Sequence, residues 1–123
     1  MTLTDFLLAR IAEDEAWANR TDCGCGDHAA WPQRPDCPDR VLAECEAKRR
    51  IVGFVSGWQH QTVEDCWYSC AATYGTEVEN ACCNDGRKGM GCDCGVEYRA
   101  ARILGPLALP YADHPDYRDE WKP

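Results

Sequence analysis

The sequence predicts a mainly α-helical protein, a small helical bundle that carries a loop-rich insertion. Two amphipathic stretches separated by a Pro- and Gly-rich loop, and a third apolar stretch near the end of the chain, lead to this prediction. Residues 57–95, in contrast, show no clear apolar periodicity and hold six of the ten cysteines. A chain of 123 residues has room for one modest core, so we expect a single domain over residues 1–123.

The predicted helices are recognised by apolar side chains that recur at helical spacing. At the start of the first, Thr2 and Asp5 approximate a capping box, in which each side chain bonds the other residue's backbone N–H. The expected ranges of the three helices are about 2–20, 40–55 and 96–109.

Details of the second and third helices can also be read from single residues. We expect Asp36 or Asp39 to cap the second helix, because aspartate is a favoured N-cap. Cys45 falls on the apolar stripe of that helix, where a small buried hydrophobic residue is the simplest interpretation. In the third helix, the pair Gly105-Pro106 is expected to bend or break the chain.

Whether the ten cysteines bind metal or form disulfides depends on the redox conditions of the compartment in which the protein resides. The first twenty residues carry four acidic side chains and no long apolar run, so they do not resemble a secretory signal, and we expect a cytoplasmic protein. In a reducing cytosol, clustered cysteines favour a bound metal over disulfides. The even number of cysteines leaves a disulfide framework as the alternative.

Two Cys-x-Cys-Gly tetrads, Cys23–Gly26 and Cys92–Gly95, suggest tight turns around a tetrahedral ion. A close pair in the insertion, Cys66 with Cys70, has a spacing found in zinc proteins. Combined with the second tetrad, this pair resembles a four-thiolate zinc hairpin in size. We therefore predict one zinc site in the insertion, drawn from Cys66, Cys70, Cys92 and Cys94, with a contribution from Cys82 or Cys83 and with His60 as a further candidate.

A second zinc site is predicted near residue 30, which gives one or two zinc ions in total. Four candidate ligands fall within a short stretch there: Cys23, Cys25, His28 and Cys37. Metal is also favoured on energetic grounds, because residues 57–95 have few aliphatic side chains to bury. A structural zinc contributes on the order of 10 kcal/mol of apparent binding free energy to folding. The predicted fold class is thus a small helical bundle with a zinc-stabilised insertion.

The charge distribution argues against nucleic acid as a partner. The formal net charge is −8, and no Lys or Arg occurs between residues 51 and 86. Binding to phosphates needs clustered cations, which this chain offers only in short runs. No apolar run in the first twenty residues is long enough to span a membrane, and we expect no membrane partner.

No motif for catalysis stands out, so an enzyme is the less favoured interpretation. The three histidines lie far apart, and the zinc-protease and deaminase patterns are absent from the sequence. The favoured function is a non-catalytic structural-zinc protein that binds another protein, as an interaction or accessory module. The alternatives are a thiol-redox or metal-dependent enzyme and a nucleic-acid-binding zinc module.

Three stretches of the chain, Thr2–Glu15, Arg40–Val52 and Leu107–Trp121, resemble a family of small actinobacterial and actinophage proteins of unknown function. The resemblance implies a small soluble intracellular protein of a kind that phages encode, and a zinc site between the second helix and the closing segment. This chain differs from the family pattern in its longer, more cysteine-rich middle. It also carries Val55 where relatives often have His, which leaves room for His60 or an extra Cys as a ligand.

Overall fold

The structure is a computed structural model that describes residues 1–23, 36–61, 70–72 and 91–123. Three α-helices account for most of the described chain: α1 (Leu3–Arg20), α2 (Pro38–Ser56) and α3 (Val96–Ala108). Two 3₁₀ turns, Leu109–Tyr111 and Asp119–Trp121, follow α3, and no β-strand occurs among the described residues. The predicted mainly α fold class is confirmed.

Helix α1 begins as its sequence predicts. Thr2 is the N-cap, and its side-chain oxygen accepts a hydrogen bond of 3.1 Å from the backbone N–H of Asp5. The Asp5 carboxylate in turn accepts the backbone N–H of Thr2 at 3.1 Å, which completes the capping box. Two of the N–H groups at the helix start are thereby satisfied locally. The predicted capping box is confirmed.

Helix α2 begins differently from the prediction. Its N-cap is Cys37, which makes no side-chain capping bond, so the expected cap by Asp36 or Asp39 is wrong. The reason lies in Pro38, whose fixed φ and missing N–H suit the first helical position. Because the proline starts the helix, the residue before it becomes the N-cap whatever its side chain.

Helix α3 runs through Pro106 to Ala108, so of the bend or break predicted at Gly105-Pro106 the break is wrong. Leu104, Gly105 and Ala108 are all buried, and this packing holds the last turn in helical form around the proline. The proline removes only one backbone hydrogen bond near the end of the helix. Gly105 has a role of its own, because the backbone of Trp121 approaches it closely.

The core is built from one face of each helix. Its buried members are Phe6, Leu7 and Ile11 of α1, Cys45, Val52 and Val55 of α2, and Leu104 and Ala108 of α3. Cys45 is a buried thiol whose sulfur lies 3.8 Å from the backbone oxygen of Ile11, which confirms its interpretation as a core residue. Aromatic rings of the closing segment surround Phe6, with centroid distances between 5.0 and 6.3 Å for Tyr111, Tyr117 and Trp121.

Polar contacts at the edge of the core fix α1 against α2. The guanidinium of Arg49 donates two hydrogen bonds of 2.7 Å to the Glu15 carboxylate, and these bonds lower the pKa of Glu15. The hydroxyl of Tyr111 donates to Asp14 at 2.6 Å and lies 3.0 Å from Lys48 Nζ. These contacts are half-exposed, so each ion pair contributes less than about 1 kcal/mol, and their main effect is to fix the helices relative to each other.

The close approach at Gly105 gives a testable prediction with a matched control. A Cβ added there would lie 2.9 Å from the Trp121 carbonyl oxygen, whereas one added at Gly53, in the last turn of α2, would meet nothing within 4 Å. Gly105→Ala should therefore lower the free energy of unfolding by about 1–2 kcal/mol through overpacking. Gly53→Ala should raise it by about 0.5–1 kcal/mol through helix propensity. Urea denaturation measures both, and equal effects would contradict the close approach.

Candidate metal centre

The end of α2 and the start of α3 meet at the candidate site. Val55 of α2 and Val96 of α3 are buried, and Trp58 packs against the core just beyond α2. After the C-cap Gly57, the N–H of Trp58 bonds the carbonyl oxygen of Val55 at 3.0 Å, so the chain turns tightly out of the helix. This turn leads to His60 beside the first turn of α3.

A glycine in the left-handed region sets the position of the two cysteines that precede α3. Gly95 is the N-cap of α3 and has a φ of 83°. A residue with a side chain rarely adopts this conformation. The Cys-x-Cys-Gly tetrad thus ends in a glycine that reverses the chain directly after Cys94. The sulfur atoms of Cys92 and Cys94 are 3.7 Å apart.

The short described segment 70–72 supplies one more thiol. The backbone N–H of Cys70 donates to the carbonyl oxygen of Gln61 at 2.7 Å, and that of Ala71 donates to Asp93 Oδ1 at 2.8 Å. One bond therefore ties the segment to the chain after α2, and the other ties it to the chain before α3. Cys70 itself is only 1% exposed.

Four side chains converge at this point: His60, Cys70, Cys92 and Cys94. Their potential ligand atoms all lie within 4.8 Å of one another. The Nδ1 atom of His60 lies 3.3 Å from the Cys70 sulfur and 3.7 Å from the Cys94 sulfur. A tetrahedral ion with metal–sulfur bonds of about 2.3 Å and metal–nitrogen bonds of about 2.0 Å would separate its ligand atoms by roughly 3.5–3.8 Å. The separations of 3.3 and 3.7 Å from His60 and of 3.7 Å between the Cys92 and Cys94 sulfurs are close to this range, and all four ligand atoms lie near enough to one another to surround one ion.

The electrostatics of the cluster favour a thiolate at Cys70. Burial alone would raise the pKa of this thiol, but hydrogen bonds from surrounding backbone N–H groups, first that of Cys94, lower the pKa to about 6. The neighbouring thiol of Cys70, more than that of Cys92, raises the pKa of the His60 ring. A bound divalent cation would replace the protons on the thiols and the imidazole, because metal binding displaces these protons.

The far side of His60 faces a carboxylate. Its Nε2 atom lies 3.4 Å from Oε1 of Glu97, in the first turn of α3. When Nδ1 of a histidine binds a metal, Nε2 carries the proton, and a carboxylate beside it fixes the tautomer and the ring orientation. Glu97 is thus placed to orient the one nitrogen ligand.

The predicted ligands are distributed unevenly over the structure. Cys70, Cys92 and Cys94 lie together, whereas Cys66, Cys82 and Cys83 lie outside the described residues, as do Cys25 and His28 of the second predicted site. His60 was only a further candidate in the sequence, because no local spacing links it to a cysteine. The tight exit of the chain from α2 is the feature that places it in the cluster.

The two described cysteines of the second predicted site also lie side by side. The sulfur atoms of Cys23, which follows α1, and Cys37, the N-cap of α2, are 3.6 Å apart. Cys37 is 1% exposed and Cys23 is half-buried.

The fold and the cluster define a class: a small, mainly helical protein with a three-cysteine, one-histidine candidate metal centre between two helix ends. The chain belongs to DUF6221, a family of unknown function whose model matches residues 1–123. No match was found among curated proteins or among solved structures. None of the helices in the described ranges is long and apolar enough to cross a membrane.

The contact between Glu97 and His60 predicts a specific effect on metal affinity. Glu97→Gln should weaken zinc binding by about 10-fold, at the low end of the range for outer carboxylates because Glu97 is 66% exposed. Competition with a chromophoric chelator measures the affinity. Glu46→Gln on α2 removes the same charge from an exposed helix pair with Arg50 and should leave the affinity unchanged. Equal losses in both variants would show a net-charge effect and would contradict an orienting role.

Proposed function

We propose that the protein is a non-catalytic structural-zinc protein that acts as an interaction or accessory module. The observation that carries this proposal is the convergence of His60, Cys70, Cys92 and Cys94 at tetrahedral ligand distances. The four residues come from three segments: the chain after α2, segment 70–72, and the turn before α3. An ion bound to all four would therefore link these three segments.

The donor set favours zinc over other ions. Three sulfurs and one imidazole nitrogen at tetrahedral separations are typical of structural zinc. Calcium, magnesium and manganese prefer oxygen ligands, which this cluster does not offer as its inner atoms. Thiols must be reduced to bind the ion, so the proposal places the protein in a reducing compartment such as the cytoplasm.

The coordination number favours a structural role over a catalytic one. A catalytic zinc keeps one position open for water or substrate, whereas three cysteines and one histidine fill all four positions. Cys70 is also almost completely buried, which limits its access to a substrate. The proposed ion would link the end of α2, the start of α3 and segment 70–72, with a contribution to folding on the order of 10 kcal/mol.

Metal content in two cysteine variants tests this role. Cys70→Ser should lose one zinc per chain relative to the wild type, because a hydroxyl is a poor substitute for a thiolate ligand. Cys45→Ala removes a different buried cysteine, whose sulfur contacts the backbone oxygen of Ile11 in the core, and should keep the full zinc content. Native mass spectrometry with elemental analysis counts the ions, and circular dichroism shows whether each variant is folded.

Two outcomes would contradict the proposed zinc role. The first is an unchanged zinc content in Cys70→Ser. The second is rapid alkylation of Cys70 in the zinc-loaded protein, together with turnover of a disulfide substrate, which would favour the thiol-redox alternative. A bound thiolate ligand should instead be protected from alkylation until a chelator removes the zinc.

The proposed partner is another protein, which contacts an exposed aromatic surface next to the cluster. Phe54 is 70% exposed and packs edge-on against Trp58 at 5.7 Å, and the guanidinium of Arg99 lies 5.9 Å from the Trp58 ring. Aromatic residues and arginine are enriched at protein interfaces. The surface is attached to the same helix ends as the metal centre, so zinc would hold it in shape.

The net charge supports a protein rather than a nucleic acid as the partner, and the family resemblance supports an accessory role. A net charge of −8 disfavours a nucleic-acid partner. The resemblance of the chain to proteins of actinobacteria and their phages is the basis for extending the proposal to an accessory, host-modulating role.

Substitution at Phe54 tests the interaction surface. Phe54→Ser should reduce capture of a protein partner from producing cells by about 10-fold or more, as expected for an exposed aromatic anchor. Leu109→Ser removes another exposed apolar side chain, outside this surface, and should leave capture unchanged. Quantitative mass spectrometry of the captured proteins compares the three samples. Equal capture by all of them, or capture that a nuclease abolishes, would contradict a protein partner at this surface.

A further inference from the structure

We infer that Cys23 and Cys37 bind a second metal ion, of the zinc type, at the junction of α1 and α2. The inference concerns residues separate from the proposed centre at His60, and it does not depend on that centre.

The first observation is the position of Cys37. It is the N-cap of α2, yet cysteine is not a favoured capping residue, and its side chain makes no capping hydrogen bond. The side chain is instead buried and directed at the sulfur of Cys23.

The second observation is the separation of the two sulfurs. At 3.6 Å it is far longer than a disulfide bond of about 2.05 Å, so no disulfide joins the two residues. Two thiolates on one tetrahedral ion lie about 3.8 Å apart. The separation also matches the 3.7 Å between Cys92 and Cys94 in the proposed zinc centre.

The local charge favours a cation. Three aspartates, Asp22, Asp36 and Asp39, lie next to the two cysteines in the sequence. A helix N-terminus by itself attracts anions, but this acidic surrounding opposes an anionic ligand. Binding would form two sulfur–metal bonds and release the two thiol protons to solvent.

The bound ion would join the end of α1 to the start of α2. Cys23 follows the C-cap of α1, Thr21, by two residues, and Pro38 begins α2 directly after Cys37. The ion would thus link the C-terminal end of α1 to the N-terminal end of α2, the two helices that form most of the core. Two thiols in van der Waals contact, with no ion between them, would also lie near 3.6 Å apart. The metal content of the protein distinguishes a bound ion from such a contact.

Zinc content of the reduced full-length chain, measured by elemental analysis and native mass spectrometry, tests the inference. The wild type should bind two zinc ions, and Cys37→Ser and Cys23→Ser should each bind one. Serine is a favoured N-cap, so Cys37→Ser should remain folded and the loss should report on ligation alone. Cobalt substitution gives a second readout, since the thiolate-to-cobalt charge-transfer absorption should fall in these variants. Cys45→Ala should keep both ions.

Every outcome of this experiment decides the inference. It is overturned if Cys37→Ser keeps the wild-type zinc content, if the wild type binds a single ion that Cys70→Ser removes, or if the cysteines are found linked as a disulfide in protein prepared with reductant. If Cys70→Ser keeps the wild-type content while Cys37→Ser loses one ion, the inference stands and the proposed centre at His60 fails. The two sites are thus tested separately.

Discussion

The contact between the end of α2 and the beginning of α3 determines where His60, Cys92 and Cys94 of the candidate metal centre lie. Trp58 packs against the core that holds Val55, it lines one cavity together with Val96, and the chain leaves α2 toward His60 and enters α3 from Cys94. These two ligands are 34 residues apart in the sequence, yet their ligand atoms are 3.7 Å apart. Only a fixed relation between the two helices can bring such distant residues to one point.

The other contacts of the bundle hold α2 and α3 in this relative position. Helix α1 packs mainly against α2, and its Phe6 is enclosed by the aromatic rings of the segment after α3. The carbonyl of Trp121 rests on Gly105, so the closing segment holds the far end of α3. Zinc proteins of this size often depend on the ion because their apolar cores are small. Here the helices supply a core of their own, and the proposed metal would act where aliphatic side chains are few.

The sequence predicted the features that depend on local pattern. The helical fold class follows from apolar periodicity, and the capping box at Thr2 depends on two residues in one turn. The errors at Cys37 and Pro106 arose where a neighbour overrode local preference, in one case a proline and in the other the packing of Leu104 and Ala108. His60 was hard to assign because its partners come from tertiary contacts. Metal identity and the ligand roles of the cysteines outside the described residues stay predictions.

The candidate metal centre is assembled from three separate segments, which has a consequence for the order in which the protein folds. The contacts of Ile11 with Cys45 and of Glu15 with Arg49 span 34 residues, as does the contact of His60 with Cys94, so the length of the closed loop does not distinguish them. The α1–α2 contacts need only two helices, whereas the centre also needs a docked α3 and segment 70–72, which places it late. Ion capture would then be the step that commits an already helical intermediate to the native state, and the rate of folding would depend on the concentration of free zinc.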